Sequence, residues 1–137
     1  MKYQKHGINW ITSWLFLVNI IHAYFRKAHL IMWGSFFCLV TSLHYHSTYS
    51  NEGLFIDKFT HALWGSMSLL ISYSWVSYYA FSILNTIGIS TAYYCTGHSH
   101  CPKRGIINHS ILHILGCLGI AFCIEAYHHG KTFTLGF

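Results

Sequence analysis

After Lys58 the chain runs through Cys95 without a charged residue. Laid out as one α-helix, the block 57–95 would be roughly 58 Å long, nearly twice the ~30 Å hydrocarbon core of a bilayer. No polar face repeats along it at helical spacing, so no side of such a helix is made to meet water. The block is expected to fold back once. The polar stretch "SYSWVSYY", residues 72–79, is the expected place, although no proline or glycine marks a point within it.

The rest of the sequence obeys the same constraint. Charged residues are 8% of the 137, and 53% are hydrophobic, whereas an ordinary soluble domain carries about 25% charged residues. A soluble helical domain would need polar faces that these blocks do not have. "INWITSWLFLVNIIHAYF" (8–25) reads as a first span and "HLIMWGSFFCLVTSLHYHSTY" (29–49) as a second. The folded block supplies 57–75 and 77–95, and "GIINHSILHILGCLGIAFCIEAYHH" (105–129) supplies the last. The expected fold is an all-α, multi-pass transmembrane bundle of about five spans, in one domain covering 1–137.

The net charge of +5 comes from small clusters: Lys2 and Lys5, Arg26 and Lys27, Lys103 and Arg104. Clusters of this kind flank membrane spans, and no basic stripe interleaved with aromatics points to nucleic acid. The five cysteines are odd in number, and Cys38, Cys117 and Cys123 lie inside apolar blocks, so no disulfide framework is expected. The N-terminal run has no small-residue cleavage site and is read as a retained span. Counting Lys and Arg at the two ends of the spans places the N-terminal end towards the cytoplasm.

An odd number of spans has a consequence. The end of the second, the start of the third and the start of the fifth then share one face of the membrane. Those three places hold most of the polar residues that carry chemistry. Ser42 and His46 lie four apart on the second span, and His109 and His113 repeat that spacing on the fifth, so each pair occupies one helix face. Two imidazoles at this spacing bind one zinc ion, and His46 supplies a third nitrogen from the neighbouring helix. Three histidines with an open fourth position is the pattern of a catalytic zinc. Zinc–nitrogen bonds of 2.0–2.1 Å then require the three imidazoles to lie within about 4 Å of one another. Asp57, read as the head of the third span, would accept a proton from the metal-bound water. Ser42 would hydrogen-bond that water or a developing oxyanion.

The order S-x-x-x-H, then an Asp after a short loop, then H-x-x-x-H on the last span resembles the superfamily of alkaline ceramidases, adiponectin-type receptors and Per1-like lipid-remodelling proteins. It looks most like the alkaline ceramidases. The resemblance implies that His46, His109 and His113 bind zinc, with Ser42 and Asp57 beside the nucleophilic water. It also implies an intramembrane hydrolase of a lipid amide or ester, with a sphingolipid or other acyl lipid as substrate. For a eukaryotic source it implies the endoplasmic reticulum or Golgi membrane. That superfamily typically has seven spans, so this sequence is two short between Asp57 and His109, a loss that preserves the parity. The stretch "MKYQKHGINW" has no acid, so the N-terminal calcium site of alkaline ceramidases is absent.

Each residue also has a plainer role. The histidines can make interhelical hydrogen bonds, Ser42 can bond its own i−4 carbonyl, and Asp57 can cap a helix. His44 points away from the Ser42–His46 face, and His61, one turn after Asp57, is a partner for it or a substitute ligand. His128 and His129 suit a helix C-terminus. Cys95, His98, His100 and Cys101 in "CTGHSHC" are a second metal candidate, set against a polar turn. Glu125 is read only as a polar contact with another span. Two functions of other classes stand beside the hydrolase: a b-type haem electron carrier, and a non-catalytic lipid receptor or scaffold. Haem needs ligands on opposite sides of its iron, which an i,i+4 pair on one helix does not offer.

Overall fold

The computed structural model describes residues 7–72, 76–97 and 102–130. Every element among them is helical: α1 (Ile8–Ser13), α2 (Leu15–Phe25), α3 (His29–Thr48), α4 (Asn51–Ser72), α5 (Val76–Gly97) and α6 (Pro102–Gly130). α1 and α2 form one rod with a tightened step at Trp14, whose N–H bonds the carbonyl three residues back, at Ile11. The cause is local. The hydroxyls of Thr12 and Ser13 both donate to the carbonyl of Asn9 (3.1 and 2.8 Å), and back-bonding of this kind bends helices.

Among the described residues, two helical stretches are long and apolar enough to cross a membrane, Ile8–Phe25 and Ile106–His129. The others have comparable length but carry more polar side chains. α4 begins at Asn51, six residues before the expected start at 57. The reason is a cap that the sequence reading passed over. Tyr49 ends α3 in the left-handed conformation, and the Ser50 hydroxyl then accepts the Gly53 N–H at 3.0 Å, a common way to start a helix. Glycine at 53 leaves room for this cap, because a Cβ would lie 2.8 Å from the Ser50 hydroxyl oxygen. Asp57 is therefore neither the N-cap nor the head of its helix; it lies in the second turn. The expected turn at 72–79 coincides with the end of α4 and the start of α5, with 73–75 outside the described residues.

Many polar side chains are buried between the helices and many large apolar ones face outward. Asn9, Ser13, Asn19, Ser35, Ser42 and Asp57 are buried, while Phe25, Trp33, Phe37, Phe55, Phe59 and Leu84 are exposed. An apolar core that includes Phe16, Ile31, Cys38, Trp64, Cys123 and Ile124 lies among the polar residues. α3 and α4 approach closely where Gly34 meets the Trp64 indole.

α6 packs against α1, α2, α4 and α5, and also touches α3. Its contact with the α1–α2 rod is a polar ladder. The Ser110 hydroxyl donates to Asn9 Oδ1 at 2.8 Å, and Thr12 Oγ1 and His113 Nδ1 are 2.8 Å apart. Asn19 Nδ2 donates to the Cys117 carbonyl at 3.1 Å. At the far end Glu125 takes His22 Nε2 at 2.7 Å and Arg26 Nε at 3.0 Å. The sequence offset of these pairs stays between 98 and 103. The two rods therefore run parallel and in register. Glu125 thus makes the expected polar contact with another helix, α2.

Candidate metal centre

Alternating helix directions bring the start of α1, the end of α3, the start of α4 and the start of α6 to one end of the bundle. His46 comes from the last turn of α3, and His109 and His113 from one face of α6. Their ring centroids form a near-equilateral triangle with sides of 4.8, 4.9 and 5.3 Å. One ligand nitrogen from each lies within 4.8 Å of the others. That is a little wider than the ~4 Å that the bond lengths require. The tightest pair, His46 Nε2 and His109 Nε2, is 3.1 Å apart, close to the ~3.3 Å between two nitrogens on one tetrahedral zinc. His46 and His113 are buried, and His109 is partly open.

Hydrogen bonds set which nitrogens remain for a metal. His113 Nδ1 is engaged by Thr12, which leaves its Nε2. With no ion between them, the facing Nε2 atoms of His46 and His109 can be satisfied only if one carries a proton and the other does not. An ion accepts both lone pairs at once. His46 Nδ1 is a buried atom without a hydrogen-bond partner, so no second bond fixes the tautomer of that ring, and Nε2 is free to be the ligand atom. The group can hold a metal ion, and three neutral nitrogens suit zinc among other first-row metals.

Beside this group lies a carboxylate clamp. Ser42 Oγ donates to Asp57 Oδ1 at 2.8 Å, and Thr41 Oγ1 donates to the same oxygen at 3.2 Å. His61 Nδ1 lies 2.8 Å from the Asp57 carbonyl and 3.3 Å from Oδ1. Both neighbours are acceptors, so Nδ1 must carry the proton, and His61 Nε2 is buried without a partner. All three groups converge on Oδ1. The hydroxyl of Ser42 has one proton and gives it to Asp57. Its lone pairs can still accept from a water, but in this arrangement it does not donate to an oxyanion. Phe16 closes the other side, with its ring 5.3 Å from His61 and 6.1 Å from His113.

His44 is exposed, and His129 faces Glu125 at 3.4 Å at the opposite end of the bundle. Of the "CTGHSHC" candidate, His98, His100 and Cys101 lie outside the described residues, as does the side chain of Cys95. Among the described residues, Cys38, Cys117 and Cys123 are not joined in disulfides. Asn9, Thr12 and Thr41 were not singled out from sequence. The signal available for the first two was polar spacing, Asn9, Thr12 and Ser13 at i, i+3 and i+4 in an apolar run. Comparison with protein-family models, with curated proteins and with solved structures returns no match.

Proposed function

We propose that the protein is a multi-pass integral membrane enzyme, a zinc-dependent hydrolase that cleaves a lipid amide or ester. The observation that carries this reading is the convergence of His46, His109 and His113 beside the Ser42–Asp57 pair, inside a bundle whose outer surface is apolar. α3, α4 and α5 contain 20, 22 and 22 residues, about 30–33 Å of helix each and enough to cross a hydrocarbon core. Their exposed Phe, Trp and Leu side chains suit acyl chains, and their buried hydroxyls, amides and imidazoles bond one another. The likeness of Ser42-x-x-x-His46, Asp57 and His109-x-x-x-His113 to the ceramidase, adiponectin-receptor and Per1-like superfamily supports the same reading. An endoplasmic reticulum or Golgi location follows for a eukaryotic source.

His46, His109 and His113 would hold the ion. When bound, zinc supplies a Lewis acid for a carbonyl and lowers the pKa of a coordinated water to about 7. The chain provides the rest. Asp57, with Oδ1 saturated by Thr41, Ser42 and His61, offers Oδ2 to the proton of the attacking water. Ser42 accepts a hydrogen bond from that water and keeps the carboxylate from turning. Phe16 keeps bulk water off the inner side. The level of the site along the bundle supports a lipid substrate. Asp57 and His109 lie six and seven residues into their helices, about 10 Å from the ends. The amide and ester carbonyls of membrane lipids lie at the boundary between the headgroups and the hydrocarbon core, which a site near one end of the bundle can reach.

The test is metal analysis of purified wild type beside His46→Ala, His109→Ala and His113→Ala, followed by hydrolysis of amide- and ester-linked lipids. Stoichiometric zinc lost in each variant, with turnover that Asp57→Asn abolishes while keeping the metal, is the expected result. Zinc without turnover on any lipid would leave a receptor or scaffold. A Soret band would replace the hydrolase with a haem carrier.

A further inference from the structure

We infer that Thr12, on the first helix, is a positioning residue for the metal ligand His113. This rests on the metal reading above and extends it to a side chain outside the α3–α4–α6 constellation. The argument is one of proton counting. Thr12 Oγ1 has two neighbours, the Asn9 carbonyl at 3.1 Å and His113 Nδ1 at 2.8 Å, and one proton to give. If it donates to Asn9, it must accept from His113. Nδ1 then carries the ring proton, and the lone pair is on Nε2.

That is the tautomer a metal needs at Nε2, and in it Thr12 both donates to the Asn9 carbonyl and accepts from His113. Histidine ligands are generally oriented through a bond of this kind from the other ring nitrogen. The Thr12 hydroxyl is itself anchored. Asn9 is buried, its carbonyl also accepts from Ser13, and its Oδ1 accepts from Ser110, one turn before His113. α1 thus reads the α6 face at two successive turns, Asn9 against Ser110 and Thr12 against His113. His46 has no equivalent, since its Nδ1 is without a partner, so His113 is the ring whose orientation is imposed from outside the triad.

The experiment uses the full chain in nanodiscs and measures zinc affinity by chelator competition, with ¹⁵N chemical shifts reporting the His113 tautomer. Thr12→Val keeps the shape and removes the hydroxyl; Thr12→Ala is the second variant should valine not fold; Thr12→Ser restores the bond. Asn19→Leu breaks a different rung of the same ladder, away from the metal. Loss of affinity by 10–100-fold in Thr12→Val or Thr12→Ala, with recovery in Thr12→Ser, no change in Asn19→Leu and loss of the Nδ1–H signature in valine, is the expected pattern. Unchanged affinity in the hydroxyl-less variants would overturn the inference and leave the hydrolase reading standing. Equal losses in Asn19→Leu and Thr12→Val would also overturn it, because the ladder as a whole would be responsible. A wild type that binds no zinc would remove the metal reading first, and this one with it.

Discussion

Two glycines one position apart in their surroundings should respond to alanine with opposite signs. A Cβ at Gly34 would land on Cδ2, Cε2 and Cζ2 of Trp64, the middle of a buried, rigid ring, whereas a Cβ at Gly65 meets nothing within 4 Å. Both residues are inside helices, so both replacements gain about 1 kcal/mol of helix propensity. Only Gly34→Ala adds overpacking, which typically costs about 1–3 kcal/mol. The net is a loss of up to about 2 kcal/mol at 34 and a gain of up to about 1 kcal/mol at 65. The difference between the variants, about 1–3 kcal/mol, isolates the contact because the backbone contribution cancels. Denaturant unfolding in detergent, followed by far-UV circular dichroism, measures both. Gly34 lies on the helix that carries Ser42 and His46, and Trp64 on the one that carries Asp57, so Gly34→Ala should also lower turnover and Gly65→Ala should not. Equal shifts of the same sign would refute the close approach of α3 and α4.

Lys27 has φ of +56° where α2 turns into α3, and the Ala28 and Lys27 N–H groups bond the Ala23 and Tyr24 carbonyls. This is a Schellman ending with lysine in the position glycine prefers, so Lys27→Gly should stabilise the protein by about 1 kcal/mol in the same unfolding assay. Glu125→Ala removes the acceptor shared by His22 and Arg26; with Arg26 largely in reach of solvent, the loss should be about 1 kcal/mol and zinc affinity should be unchanged.

The helices were legible in the sequence because their causes are local: long apolar blocks, a charge-free tract too long for one span, and basic clusters at the ends. The imidazole triangle was legible because i,i+4 spacing fixes a face, and an odd number of helices fixes the end at which the faces meet. The start of α4 was not. "YSNEG" has a loop's composition, and whether Ser50 caps a helix depends on Tyr49 turning left-handed and on Gly53 leaving room for the Ser50 hydroxyl. Ser42 was placed beside Asp57, but the direction of its proton depends on an acceptor 15 residues away. Thr12 was hidden for a similar reason: a threonine in an apolar span is ordinary until the helix across from it is known. Glu125 was visible as an anomaly, and only the parallel register of α2 and α6 supplies its partners.

That register also bears on what the metal does for the fold. In lipid, apolar side chains gain little by meeting one another, so bundles are held by packing and polar bonds. α1 and α2 are stitched to α6 along their length, and α3 is tied to α4 at Gly34 and Asp57. Between α3 and α6, His46 and His109 face each other with their Nε2 atoms 3.1 Å apart. An ion bound by His46, His109 and His113 would tie α3 directly to α6, and its removal should be felt as global stability. A ligand that binds only the folded state adds about 2.7 kcal/mol at 100 times its Kd and about 4.1 kcal/mol at 1,000 times. Chelation should lower the unfolding midpoint of wild type by a corresponding amount. His113→Ala should start lower and show no response to zinc or chelator. If zinc binds stoichiometrically to wild type and its removal leaves the midpoint unchanged, the ion does not bridge α3 and α6, and the three-histidine site is wrong.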